Sequence, residues 1–185
     1  MSINTELLCV KYSLLVAETG YLDVNLSPFT LYAYRIQADN GFGTTLSAPV
    51  VYRTSPGIPS GNFTVRLGSI GQQTVVIYWT APSSPNGPIQ RYLLTSTTQL
   101  NSTAVVQYEG LGLSTILSGL TPYTRYTLVV TACTTGGCKA ANGVNAVTLQ
   151  APPANQLPPI VSPIDSARLL VNWSPPLTPN GEYSS

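Results

Sequence analysis

Histidine is absent from all 185 positions, which removes the commonest general base and any Ser-His or Cys-His nucleophile pair. The seven acidic side chains are scattered, and no two stand close enough in sequence to share acid and base duties. No catalytic residue, cofactor site, metal site or small-molecule substrate is therefore assigned. Gly110-Leu111-Gly112 lacks the rest of a phosphate-binding fingerprint, and no helical pattern follows it. Charge is thin overall, at 8% of residues against roughly 25% in ordinary soluble domains. Six arginines and two lysines are dispersed singly, so no basic stripe exists for phosphates and nucleic acid is not an expected partner. No apolar run reaches the roughly 20 residues of a membrane helix. Leu7 to Ala17 comes nearest, and Lys11 and Tyr12 interrupt it. Helical periodicity is missing too, with sixteen prolines and fifteen glycines punctuating the chain.

What the chain does contain is itself, displaced by 94 positions. Leu26-Ser27-Pro28-Phe29-Thr30-Leu31-Tyr32 falls on Leu120-Thr121-Pro122-Tyr123-Thr124-Arg125-Tyr126. The same shift carries Ile77-Tyr78-Trp79 onto Val171-Asn172-Trp173, and Pro85-Asn86-Gly87 onto Pro179-Asn180-Gly181. Unrelated stretches sharing one offset indicate a tandem repeat whose unit is the size of a small domain. The expected division is the C-terminal part of one unit at 1–54, a complete unit at 55–150 and the N-terminal part of a third at 151–185. Proline-stiffened connections, Thr54 to Pro59 and Gln150 to Pro153, should align neighbouring units semi-rigidly.

Within the complete unit, period-two alternation predicts strands near 62–68, 73–80, 89–97, 103–108, 113–118, 124–132 and 139–148. Tyr126, Leu128, Val130 and Ala132 form one apolar face; Val75, Ile77 and Trp79 form another. Tyr32, Tyr34, Ile36 and Ala38 repeat the pattern in the first unit, with Arg35 and Gln37 facing out. Seven short strands around one buried tryptophan predict an all-β fold, an immunoglobulin-like antiparallel sandwich with Greek-key connections.

These residues resemble the fibronectin type III family. The resemblance rests on Trp79 and Trp173 followed by proline-rich turns (WTAPSSPNGPIQRY, WSPPLTPNG), and on LTPYTRYTLVVTA with its twin LSPFTLYAYRIQA. It implies that the tyrosine matching Tyr126 and Tyr32 packs beside the family tryptophan and fixes the corner entering the sixth strand. The octapeptide TACTTGGC looks like repeats of a large sensory-cell extracellular protein, which implies matrix partners such as collagen and fibronectin.

Cys133 and Cys138 bracket Thr134 to Gly137, where a four-residue hairpin loop sets them opposite one another within disulfide reach. A bridge and two unpaired thiols both remain open. Cys9 has no evident partner. Two sequons, Asn62-Phe63-Thr64 and Asn101-Ser102-Thr103, are candidate glycosylation sites, Asn101 in an expected turn. Asn25-Leu26-Ser27 and Asn172-Trp173-Ser174 are each followed by proline and are discounted. Together the loop cysteines and usable sequons favour an extracellular or cell-surface setting. Candidate binding loops are Asp39 to Thr44, with Phe42 and Gly43, and Thr134 to Lys139, with Thr135, Gly136 and Lys139. The function expected is a non-catalytic adhesion or spacer segment making protein–protein contacts. A receptor ectodomain and a cytoplasmic muscle-type array are the alternatives.

Overall fold

Alternating apolar and polar side chains, interrupted every few residues by Pro, Gly or Asn, yield strands and no helix among the described residues. The computed structural model describes residues 20–182; Cys9 and the Leu7 to Ala17 run lie outside them. The first repeat contributes β1 (Leu31–Tyr34), β2 (Gln37–Asp39), β3 (Thr44–Leu46) and β4 (Val50–Arg53). The second contributes β5 (Val65–Ile70), β6 (Val75–Trp79), β7 (Arg91–Thr98) and β8 (Val105–Gly110), then β9 (Ser114–Leu117), β10 (Arg125–Thr134), β11 (Gly137–Ala140) and β12 (Val144–Val147). The third contributes β13 (Ile160–Asp165) and β14 (Arg168–Asn172).

In the middle repeat two antiparallel sheets form, one ordered β5-β6-β9 and the other β11-β10-β7-β8, with β12 also paired to β10. Their inner faces enclose one core. Val75, Ile77, Trp79 and Leu117 come from the first sheet, and Tyr92, Leu94, Tyr126, Leu128, Val130, Ala132 and Ala146 from the second. Burial alternates along β6 and along most of β10, as a strand with one wet face requires. Each fully buried Leu or Ile contributes about 1.5–3 kcal/mol relative to exposure, and Ile77, Leu94 and Leu128 have no accessible surface at all.

The strands depart from the expected ones in two instructive ways. The predicted seventh strand is divided. Thr131 pairs with Ala140 and Leu128 with Val144, so two residues of β10 (Val129, Val130) face three (Ala141, Asn142, Gly143). That is a β-bulge, with Ala141 N–H still donating to the Val130 carbonyl at 2.8 Å. The first repeat does the same 94 residues earlier: Arg35 and Ile36 face Ser47, Ala48 and Pro49, and Ser47 N–H donates to Ile36 O. Its expected continuous strand from Tyr32 to Ala38 is therefore two. The second departure is at the cysteine hairpin. Pairing continues through Cys133–Cys138 to Thr134–Gly137, leaving a two-residue turn of Thr135 and Gly136 where four residues were expected.

The 94-residue shift holds in three dimensions, bond by bond. Ser27 N–H donates to the Tyr32 hydroxyl oxygen at 2.8 Å, and Thr121 N–H donates to that of Tyr126 at 2.8 Å. Thr54 Oγ1 donates to Ser27 O, and Thr148 Oγ1 to Thr121 O, both at 2.7 Å. Phe29 and Tyr123 share a positive φ (51° and 49°), as do Asn86 and Asn180 (56° and 54°).

Burial does not repeat. Trp79 is 4% exposed, whereas Trp173 is 74% exposed. Tyr34 and Ile36, on the inner face expected for the first repeat, are also exposed. Among the described residues no second sheet covers β1 to β4 or the β13–β14 hairpin.

Candidate functional site

Three places hold the residues singled out from the sequence: the aromatic core, the two hairpin tips and the segment between repeats. In the core, Trp79 meets Tyr108 edge-on with ring centroids 5.5 Å apart, and Tyr92 at 6.0 Å. Tyr126 belongs to the same cluster and is 6% exposed, its hydroxyl turned to the Thr121 amide. Such pairs are worth about 0.5–1.5 kcal/mol beyond their buried area. The Trp79 Nε1 is the one buried side-chain nitrogen or oxygen without a hydrogen-bond partner among the described residues. Burial pushes the Tyr92 phenol above its ordinary pKa.

The two hairpin tips occupy corresponding positions of the repeat and are tied by different chemistry. In the middle repeat Cys133 and Cys138 form a disulfide with Cα atoms 4.1 Å apart. The positions 94 residues earlier are Asp39 and Thr44. There the Asp39 carboxylate accepts from Gly41 N–H at 2.7 Å, and Asn40 Oδ1 accepts from Phe42 and Gly43 N–H at 3.1 Å each. Either device pre-forms a turn; the first-repeat tip presents Phe42 fully exposed.

The cysteine hairpin does not stand free. It lies against Pro56 to Gly61, the segment entering its own repeat. Thr134 Oγ1 donates to Gly57 O at 2.7 Å, and Lys139 Nζ donates to Gly61 O at 2.9 Å. A Cβ on Gly136 would come 2.3 Å from the Pro56 carbonyl oxygen, so only glycine permits this approach. From the other side Asn86 holds the same segment: its carbonyl accepts from Gly57 N–H at 2.9 Å, and its Nδ2 donates to Ile58 O at 2.8 Å. Pro28 of the first repeat closes the stack, since a Cβ on Gly57 would meet the Pro28 ring at 2.9 Å. Pro28, Gly57 and Gly136 are thus layered across the boundary between repeats. Thr135 and Gly136 form the turn itself, beside this segment.

The next boundary is built alike and adds a latch. Asn180 repeats the Asn86 bonds, accepting from Ala151 N–H and donating to Pro152 O, both at 2.9 Å. Tyr123 also donates its hydroxyl to the Glu182 carboxylate. That hydrogen bond, then burial and the carboxylate's charge, hold the Tyr123 phenol above its ordinary pKa. Pro-Asn-Gly at both positions looks, from the chain alone, like a plain turn. Its occurrence twice at the repeat offset was the signal that asparagine does a fixed job there, but the carbonyl it holds lies 28 residues away.

Asn62 and Asn101 are both exposed. Among the described residues no group of three or more His, Cys, Asp or Glu could hold a metal ion, and no helix is long and apolar enough to cross a membrane.

Two sheets closed over one tryptophan, with a hairpin and the β6–β7 connection gripping the entering chain, define an immunoglobulin-like sandwich module. The middle sandwich is a fibronectin type III domain, as residues 57–144 match the family model described as Fibronectin type III domain. The chain is 40% identical over 162 residues to human usherin, covering 87% of this chain and 3% of that protein. The rat netrin receptor DCC is 32% identical over 160 residues, covering 82% of this chain and 11% of the receptor. Among solved structures, domains d3-d4 of the rat CD45 extracellular region share the fold with a TM-score of 0.61 at 18% identity, covering 77% of this chain and 80% of that one. The chain therefore spans a small fraction of the curated relatives that it matches.

Proposed function

We propose that this chain is a non-catalytic, extracellular segment of a tandem fibronectin type III array that spaces and presents protein-binding surfaces. Its units run 1–54, 55–150 and 151–185. The observation that carries this reading is the boundary at Pro56 to Gly61, gripped by Asn86 on one side and by the disulfide-tied hairpin on the other, with Pro28 stacked behind. A connection held at so many backbone atoms transmits orientation from one repeat to the next, as a spacer must. The proline content of the connection adds stiffness.

Contacts with partner proteins, matrix proteins such as collagen and fibronectin among them, fall to the first-repeat tip with Phe42 and Gly43, because the cysteine hairpin is occupied by its own chain. A receptor ectodomain is the second reading, supported by the resemblance to a netrin receptor.

Paired spin labels test the spacer role. With Cys9 replaced by serine, labels are placed at exposed Thr45 (T45C) and Ser114 (S114C). A narrow distance distribution is expected, broadening when Gly136→Val drives the hairpin off Pro56. A distribution in the parent chain as broad as that of a flexible linker would overturn the reading.

A further inference from the structure

We infer that Asn101 carries an N-linked oligosaccharide and that this sugar shields the free edge of the larger sheet. Among the described residues β8 pairs only with β7, so its outer side presents unpaired backbone groups. One end of that edge has a charge, Glu109, 3.5 Å from Arg91. The other end has none. Val105 is 49% and Val106 58% exposed there, and Leu100 in the preceding turn is 99% exposed. An uncharged, apolar, unpaired edge is the kind of surface on which a second chain adds a strand.

The turn joining β7 to β8 holds the sequon in a defined shape. Thr98 N–H donates to Asn101 O at 3.0 Å, Asn101 N–H donates to Thr98 Oγ1 at 3.0 Å, and Asn101 Oδ1 accepts from Thr103 N–H at 2.9 Å. The side-chain oxygen is thereby engaged within the turn, while Asn101 is exposed and its Nδ2 makes no hydrogen bond among the described residues. A branched sugar on that nitrogen has room to stand, and Val105 is four residues away, about 13 Å of extended chain at most. Asn62 differs in its surroundings: it precedes β5 of the opposite sheet and follows Gly61, whose carbonyl Lys139 holds. A sugar there starts from the other sheet, not from the turn that feeds β8.

Attachment is a group transfer without oxidation. The Asn101 Nδ2 attacks the anomeric carbon of a lipid-pyrophosphate-linked oligosaccharide in the secretory pathway. A carbon–nitrogen bond forms, the carbon–oxygen bond to pyrophosphate breaks, Nδ2 loses one proton and the lipid pyrophosphate departs.

The test uses the whole chain secreted from animal cells. Peptide mapping after peptide-N-glycosidase treatment is expected to find Asn101 converted to aspartate; an unmodified Asn101 in secreted material overturns the assignment. Sedimentation velocity is then run on the folded chain before and after an endoglycosidase trims the glycan to a single sugar. Trimming is expected to lower the concentration at which the chain self-associates by about tenfold. N101Q should do the same, N62Q should not, and V106K should restore the trimmed chain to its original behaviour by charging the bare edge. Unchanged association after trimming, or association provoked equally by N62Q, overturns the shielding role. Neither outcome bears on the spacer reading, which the label distances decide.

Discussion

Set side by side, the first and middle repeats share their hydrogen bonds and differ in their burial. Tyr32 and Tyr126 accept from equivalent amides, Ser27 and Thr121 N–H, at the same 2.8 Å, yet Tyr126 lies in a closed core and Tyr32 is only half-buried. Trp79 ends β6 and Trp173 directly follows β14, the equivalent strand, and they are 4% and 74% exposed. Corners and turns are specified largely by residues a few positions apart, so they form wherever those residues occur. Burial needs two sheets, and only the middle repeat closes them among the described residues. Local geometry in this chain is thus not evidence of local stability.

The largest effects should separate the tryptophans. Trp79→Ala is expected to cost about 3–5 kcal/mol in denaturant unfolding, whereas Trp173→Ala should change that transition by no more than about 0.5 kcal/mol. Equal losses would break the contrast. The corner tyrosines give a finer version of it. Tyr126→Phe removes the acceptor of the Thr121 amide and should cost about 1–3 kcal/mol, while Tyr32→Phe should leave the same transition unmoved.

Smaller still is the bridge. Opening the six-residue ring with C133S and C138S should cost about 2 kcal/mol by the loop-entropy estimate. The boundary labels should respond more clearly than the melting temperature, because the bridged hairpin bears on Pro56 to Gly61. No such bridge exists at the first-repeat tip, where Asp39→Ala should loosen the turn without altering middle-repeat stability.

Weakest are two exposed contacts that pH should separate. Tyr123 is held above its ordinary pKa, so its contribution is complete below the unfolded value of about 10 and is lost as pH rises through the folded one. Asp165 is held below its ordinary pKa, first by the hydrogen bond from Arg168 and then by that from Ala167 N–H. Its contribution is complete above the unfolded value of about 4 and is lost as pH falls through the folded one. Chemical shifts should therefore show the Tyr123 end of the Tyr123–Glu182 contact loosening as pH rises and the β13–β14 turn loosening as pH falls.

Much of this was legible in the chain. Trp79, Tyr126 and the 94-residue shift announce themselves because alternation and turn chemistry are local, and they led to the sandwich and its family. The division of the seventh strand was not legible. Ala141-Asn142-Gly143 carries no mark that three residues must face two, and the homologous bulge has Ser47-Ala48-Pro49, an unrelated triplet. Nor was the short cysteine turn visible, since strand pairing runs on to Thr134 and Gly137 where the hairpin also packs on Pro56 to Gly61. The grip of Asn86 on Ile58 was hidden because backbone carbonyls leave no trace in composition.

Amide hydrogen exchange, resolved residue by residue, meets the claim of one closed core most directly. Protection at Leu94, Leu128 and Val130 should reach the free energy of global unfolding, and amides of β1, β4 and β14 should exchange by local opening orders of magnitude sooner. Comparable protection at Tyr32, Val51 or Leu170 would contradict it.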